Sequence, residues 1–136
     1  MSDTFPVTVF HNPACGTSRN VLNAVREAGY EPIVVEYLKA GWTAAQLRAL
    51  FEEAGLTVRE ALREKGSPAA ELGLLEPGVS DDAILSAMVE HPVLVNRPIV
   101  KTPKGAAMCR PSEKVFDLLE HAPDSFTKED GEIVRR

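Results

Sequence analysis

The residue best suited to covalent chemistry in this sequence is Cys15, within the stretch VFHNPACGTSRN at residues 9–20. It follows a short apolar segment and precedes the start of a predicted helix. The first N–H groups of a helix have no partner inside the helix, and the helix dipole is positive at that end, so an anion there is stabilised. The position therefore predicts a cysteine whose thiolate is favoured and whose pKa is lowered.

The residues around Cys15 favour a reactive thiol over an inert, packed one. Arg19 lies four positions further on and adds positive charge. His11, at the end of the preceding strand, adds charge or a hydrogen bond, or makes a purely structural hydrogen bond. The backbone N–H groups from Gly16 to Ser18 are placed where an oxyanion binds a helix N-terminus. A nucleophile and an anion pocket are thus predicted at one place.

The spacing of the other reactive residues points to a site with one cysteine. Two cysteines and three histidines show no paired metal-ligand spacing, so no metal site is expected. A tyrosine phosphatase loop needs an arginine where this chain has Val21, and a thioredoxin dithiol needs a second cysteine where it has Ser18. Cys109 lies in the alternating stretch AAMCR and is predicted to be a strand residue and not a second nucleophile.

Composition limits the class of protein. A chain of 136 residues with 44% hydrophobic residues suits one domain, residues 1–136. A net charge of -5 argues against nucleic acid as a partner, because such binders usually carry a basic excess. We find neither an apolar run of about 18 residues nor a signal sequence, so no membrane contact and a cytoplasmic location are expected.

The elements that must position Cys15 follow from apolar periodicity. PVTVFH predicts a strand, SRNVLNAVREAG a helix ended by Gly29, and EPIVVEYL at 31–38 a second strand, which together make a parallel βαβ unit. Residues 42–91 read as a helical insertion. Its helices begin at Thr43, which forms a capping box with Gln46, and at Ser80, with a shorter helix over VREALREK at 58–65 between them.

The last third of the chain predicts a hairpin and a closing helix. NRPIVKTP and GAAMCR read as antiparallel strands, and Pro111 opens the helix. The polar tail, 123–136, is expected to be loosely held. This order predicts an α/β, thioredoxin-like mixed sheet flanked by helices. In that topology a cis-proline starts the first hairpin strand and faces the active-site cysteine, a place that Pro98 occupies here.

Four segments, HNPACGTSRN, HPVLVNRPIV, CRPSE and FTKEDGE, closely resemble the glutaredoxin-coupled arsenate reductase family, over about Val7 to Glu132. The resemblance implies reduction of arsenate to arsenite, with Cys15 attacking arsenic. It also implies that three arginines clamp the oxyanion, and these match Arg63, Arg97 and Arg110. No tightly bound cofactor is implied. Glutathione is the co-substrate, and glutaredoxin then breaks the mixed disulfide.

The physical chemistry of arsenate agrees with this resemblance, although two other function classes stay open. Arsenate is mostly a dianion near neutral pH, so a thiolate approaches it only where fixed cations offset the repulsion. Arg59 lies one helical turn from Arg63 and competes with it as the third cation. The alternatives are a glutathione-dependent thiol oxidoreductase without arsenate activity and a transcription-regulatory binding module, which usually carries a C-x-x-C motif.

Overall fold

A computed structural model describes residues 5–135, the side chain of Arg135 excepted. The chain forms two compact units. The first contains the described residues up to Glu36 and those from Arg97 onward, and the second contains Tyr37–Asn96. The second unit is close to the predicted insertion, residues 42–91, but begins five residues earlier and ends five residues later, by the difference of these bounds.

A four-stranded mixed sheet forms the centre of the first unit. Its strands are β1 (Thr8–His11), β2 (Ile33–Glu36), β3 (Ile99–Thr102) and β4 (Gly105–Met108), in the order β2-β1-β3-β4. β1 and β2 are parallel, while β1 with β3 and β3 with β4 are antiparallel. The predicted βαβ unit and hairpin are both confirmed, and their order is that of the thioredoxin-like fold.

Helix α1 (Gly16–Glu27) connects β1 to β2 and buries one apolar face. Val21 and Val25 are fully buried in the core of the first unit, as their helical spacing predicts. The helix ends where Gly29 adopts a left-handed φ of 98°. The N–H of Gly29 then bonds the Arg26 carbonyl and that of Tyr30 bonds the Val25 carbonyl, the pattern of a Schellman motif.

The closing helix of the first unit is a 3₁₀ helix, Ser112–Leu118, and it packs against α1. Its buried apolar face includes Val115 and Leu118, and Leu119 directly after the helix is buried as well. These side chains and the apolar face of α1 belong to a single core cluster. The same cluster contains Val9 of β1 and Val100 of β3, so it packs against the sheet. The cluster therefore holds together β1 and α1, the two elements that flank the loop carrying Cys15.

The second unit contains α2 (Tyr37–Ala40), α3 (Ala44–Ala54), α4 (Asp81–Glu90) and a 3₁₀ helix, Pro92–Leu94. α3 and α4 pack against each other. The predicted caps are present: Thr43 and Gln46 form the capping box of α3, and the Ser80 hydroxyl accepts the Ala83 N–H at the start of α4.

The predicted helix over residues 58–65 is wrong. A turn occupies 58–61, after which Leu62 forms an isolated antiparallel bridge with Val95. The Arg63 N–H bonds the Leu94 carbonyl at 2.7 Å, and the Asn96 N–H bonds the Ala61 carbonyl at 2.7 Å. These long-range backbone bonds use groups that a continuing helix would need for its own turns.

The expectation of a loosely held tail is wrong for residues 125–135. Strands β5 (Ser125–Thr127) and β6 (Ile133–Arg135) form a hairpin, which we call the C-terminal hairpin. Phe126 is 1% exposed and meets the Phe116 ring edge-on at 5.9 Å between centroids. The buried Phe126 ring thus attaches the hairpin to the core of the first unit.

Candidate active site

Cys15 is the N-cap residue of α1, at the end of a short loop that leaves β1. The loop is a tight turn: the Cys15 N–H bonds the Asn12 carbonyl at 3.0 Å, and the Asn12 side chain accepts the Ala14 N–H at 3.0 Å. The thiol thus lies next to the unpaired N–H groups of the helix start, as the sequence predicts.

The surroundings of Cys15 favour the thiolate. Burial by itself raises the pKa of the thiol, but the Ser18 backbone N–H and the guanidinium groups of Arg97 and Arg110 outweigh it, and the pKa is lowered overall. The direction agrees with the prediction, and the Ser18 N–H is the predicted contribution of the helix start. The charged groups that lower the pKa are Arg97 and Arg110, whereas the prediction named Arg19 and His11. The positive charge comes from arginines about 80 to 95 residues further along the chain.

The hairpin of β3 and β4 brings these two arginines to Cys15. Arg97 lies just before β3 and Arg110 just after β4, so antiparallel pairing places them side by side. Arg110 Nη1 lies 3.8 Å from Cys15 Sγ and donates to the Arg97 carbonyl at 3.2 Å. The Arg97–Pro98 bond is cis, as predicted, and so is the Arg110–Pro111 bond.

His11 contributes a hydrogen bond to the site. Its Nδ1 lies 2.7 Å from the Ser18 hydroxyl, which also accepts the Asn12 N–H at 3.1 Å. Burial, opposed by the charge of Glu36, lowers the pKa of His11, so the neutral imidazole dominates near pH 7. These hydrogen bonds of the Ser18 hydroxyl tie the end of β1 to the first turn of α1.

Arg19 is held by a partner that no local pattern reveals. Its Nη2 and Nε donate to the Glu129 carboxylate at 2.7 and 3.1 Å, and its Nη1 donates to the Pro13 carbonyl at 2.7 Å. The Glu129 hydrogen bond raises the pKa of Arg19, and the same bond lowers that of Glu129. Because 110 positions separate the two residues, neither spacing nor periodicity signals the pair.

Arg63 belongs to the second unit, whereas Cys15 belongs to the first. Its Nε donates to the Lys65 carbonyl at 2.9 Å, and its own carbonyl accepts the Ser67 hydroxyl. The competing Arg59 is committed elsewhere in that unit, with bonds of 3.0 to 3.3 Å to the carbonyls of Leu74, Glu76 and Val79. These bonds give Arg59 a structural role, and an oxyanion role for Arg63 stays a prediction.

Cys109 is fully buried directly after β4, among the side chains of the core cluster. Burial raises the pKa of its thiol to about 12. At neutral pH the group is therefore almost entirely a protonated thiol, which neither attacks an electrophile nor binds a metal well. Both cysteines are free, and their pKa values are shifted in opposite directions.

Neither a metal-ligand group nor a membrane-spanning helix is present within residues 5–135. That range contains no group of three or more His, Cys, Asp or Glu side chains able to hold a metal ion. None of the helices in the same range has the length and apolar character needed to cross a membrane.

Known proteins resemble this chain in both sequence and fold. Residues 10–118 match the model of the ArsC family. The chain is 61% identical over 129 residues to arsenate reductase ArsI2 of Synechocystis sp., covering 94% of this chain and 92% of that protein. It is 58% identical to an arsenate reductase of Rhizobium meliloti, with the same two coverages. A solved arsenate reductase from Vibrio cholerae superposes with a TM-score of 0.81 at 37% identity, over 86% of this chain and all of that one. By sequence and by fold, this chain belongs to the ArsC family.

Proposed function

We propose that this protein reduces arsenate to arsenite, with Cys15 as the nucleophile. The observation that carries the proposal is the placement of the Arg110 guanidinium 3.8 Å from the Cys15 sulfur, at the N-terminus of α1. An anion that binds this guanidinium is held against the nucleophile. The names of relatives that share 58% and 61% of aligned residues support arsenate as that anion.

Arg97 and Arg110 are the proposed oxyanion ligands, and Arg63 is the proposed third. Guanidinium groups offer paired N–H donors that match two oxygens of a tetrahedral oxyanion. Their charge offsets repulsion between the thiolate and the arsenate dianion, and the helix start adds N–H donors. His11 and Ser18 support the turn that carries Cys15. Pro98 shapes the neighbouring backbone.

The electrons come from an outside thiol in this proposal. The Cys15 thiolate attacks arsenic(V) and displaces an oxygen as water. Glutathione then attacks the adduct, two electrons pass from the two sulfurs to arsenic, arsenite leaves, and a Cys15–glutathione disulfide remains. A glutaredoxin thiolate takes up the glutathione and frees Cys15. Dependence on an external thiol fits the buried, protonated Cys109, and thiols of this kind are maintained in the reducing cytoplasm.

A coupled assay tests whether the protein reduces arsenate and which thiol system supplies the electrons. Arsenate-dependent oxidation of NADPH is measured with glutathione, glutaredoxin and glutathione reductase, and again with thioredoxin and thioredoxin reductase in their place. We expect turnover in the first mixture, little in the second, and none for Cys15→Ser in either. Turnover only in the thioredoxin mixture would support arsenate reduction but contradict glutaredoxin as the partner. Reduction of a glutathione mixed disulfide without any arsenate turnover supports the oxidoreductase alternative instead.

A further inference from the structure

The C-terminal hairpin contacts the start of α1 through a connected set of hydrogen bonds. Both Glu129 carboxylate oxygens accept N–H groups of Arg19, and the Glu129 backbone N–H bonds the Asn20 side chain at 2.9 Å. Glu129 also lies close to the residue after the nucleophile, because a Cβ added to Gly16 would approach its Oε1 to 3.3 Å. The hairpin therefore reaches the helix turn that follows Cys15.

The hairpin that presents Glu129 is itself anchored to the core. Phe126 is buried against Phe116, and Lys128 Nζ lies 2.8 Å from the Glu113 carboxylate on the 3₁₀ helix, with only 11% of the Lys128 side chain exposed. An isolated surface ion pair contributes little because its side chains must be ordered to form it. Here the hairpin already orders Glu129, which lowers that entropic cost.

Arg19 transmits this anchoring to the loop that carries Cys15. All three guanidinium nitrogens have partners: Nε and Nη2 bond Glu129, and Nη1 bonds the Pro13 carbonyl. Pro13 lies two residues before Cys15, inside the turn between β1 and α1. A guanidinium engaged in this way is a link between two backbone segments, in contrast to the oxyanion ligands Arg97 and Arg110.

We propose that Glu129 is a positioning residue for Cys15, acting through Arg19 to fix the Pro13 carbonyl and so the loop that presents the nucleophile. In the proposed reaction this sets the line of attack of the thiolate, whereas arsenate is bound by other residues. Loss of Glu129 therefore lowers kcat and leaves the KM for arsenate nearly unchanged. The kinetic part of this inference rests on the proposed function.

The test compares Glu129→Gln with the control variant Glu132→Gln. Both substitutions remove one negative charge from the hairpin, but Glu132 pairs with Lys128 and not with Arg19. We expect Glu129→Gln to lower kcat about fivefold with KM within about twofold, the size of one well-ordered ion pair, and Glu132→Gln to change neither. Amide exchange of residues 14–16 should accelerate about fivefold in Glu129→Gln only.

A double-mutant cycle separates positioning from general destabilisation. Arg19→Ala should lower kcat about tenfold, and adding Glu129→Gln should lower it no further, since Glu129 acts only through Arg19. Additive effects, equal behaviour of the two glutamine variants, or a raised KM at unchanged kcat would each overturn the inference. Amide exchange needs no turnover, so it decides on the loop contact even where no arsenate is reduced.

Discussion

At the scale of single residues, the reactivity of the two cysteines is set by what surrounds each sulfur. Cys15 has an arginine nitrogen 3.8 Å from its sulfur and lies at a helix start, whereas Cys109 is enclosed by apolar side chains. The first environment stabilises a thiolate and the second penalises it, so their pKa values move in opposite directions. The environment of Cys15 therefore suits the nucleophile that we propose, and that of Cys109 suits a packed, neutral thiol.

The first prediction concerns the ionisation of Cys15. Its alkylation by iodoacetamide should accelerate as pH rises through the lowered pKa and then level off, with a midpoint below the value of about 8.5 for a free thiol. Replacing Arg110 by Gln removes one of the charges that lower the pKa, so the midpoint should move to higher pH. An Arg110→Gln midpoint equal to that of the wild type would contradict this account.

The second prediction concerns the geometry of the Arg97 guanidinium. Arg97→Lys keeps the positive charge but loses the planar fork of N–H donors, so arsenate turnover should fall at least about tenfold with an unchanged circular dichroism spectrum. Arg48→Lys, at an exposed surface pair with Asp82, is the matched control and should retain full activity. Normal turnover of Arg97→Lys would show that charge alone suffices.

At the scale of secondary-structure elements, two hairpins of the first unit position different side chains near α1. The β3–β4 hairpin places Arg97 and Arg110 at its open end, next to Cys15. The C-terminal hairpin attaches to the core by Phe126 and presents Glu129 to α1. Each hairpin therefore brings to α1 side chains from a part of the chain that is distant in sequence.

The third prediction tests whether the C-terminal hairpin contributes to stability. Phe126→Ala removes a fully buried aromatic ring and should lower the free energy of unfolding in urea by about 3 kcal/mol. Ile133→Ala, on the opposite strand and 52% exposed, should cost less than about 0.5 kcal/mol. Equal, small losses of unfolding free energy in both variants would mean that packing of Phe126 does not stabilise the protein.

At the scale of the whole molecule, the proposed reaction needs thiols from other molecules, because only one of the two cysteines lies where a thiolate is favoured. An internal disulfide needs a second thiolate within reach, and Cys109 is protonated and buried. The net charge of -5 argues against nucleic acid as a partner.

The fourth prediction tests this dependence directly. Cys109→Ala should retain glutathione-dependent arsenate reduction within about twofold, because Ala suits a buried apolar position and no chemistry is lost. After turnover without glutaredoxin, mass spectrometry should find one glutathione on Cys15 of the wild type. An inactive Cys109→Ala protein together with a Cys15–Cys109 disulfide in the wild type would overturn the one-cysteine mechanism.

The sequence alone predicted the parts of this protein that depend on neighbouring residues. Apolar periodicity gave α1 and the core strands, capping residues gave the starts of α3 and α4, and the position of Cys15 at a helix start gave its lowered pKa. It failed at residues 58–65, where propensity favours a helix but pairing of Leu62 with Val95 decides the backbone. It failed again in the tail, where the buried Phe126 and the Lys128–Glu113 ion pair hold a polar segment against the core.

Only the tertiary structure decided which side chains act together. It showed that Arg110, and not Arg19, lies 3.8 Å from the Cys15 sulfur. It also showed that Arg19 pairs with Glu129, and that Arg59 donates its hydrogen bonds to backbone carbonyls. The reason is physical: helix and strand patterns follow from interactions within a few residues, whereas these contacts join positions as many as 110 residues apart. Such pairs exist only once packing of the core has fixed the path of the chain.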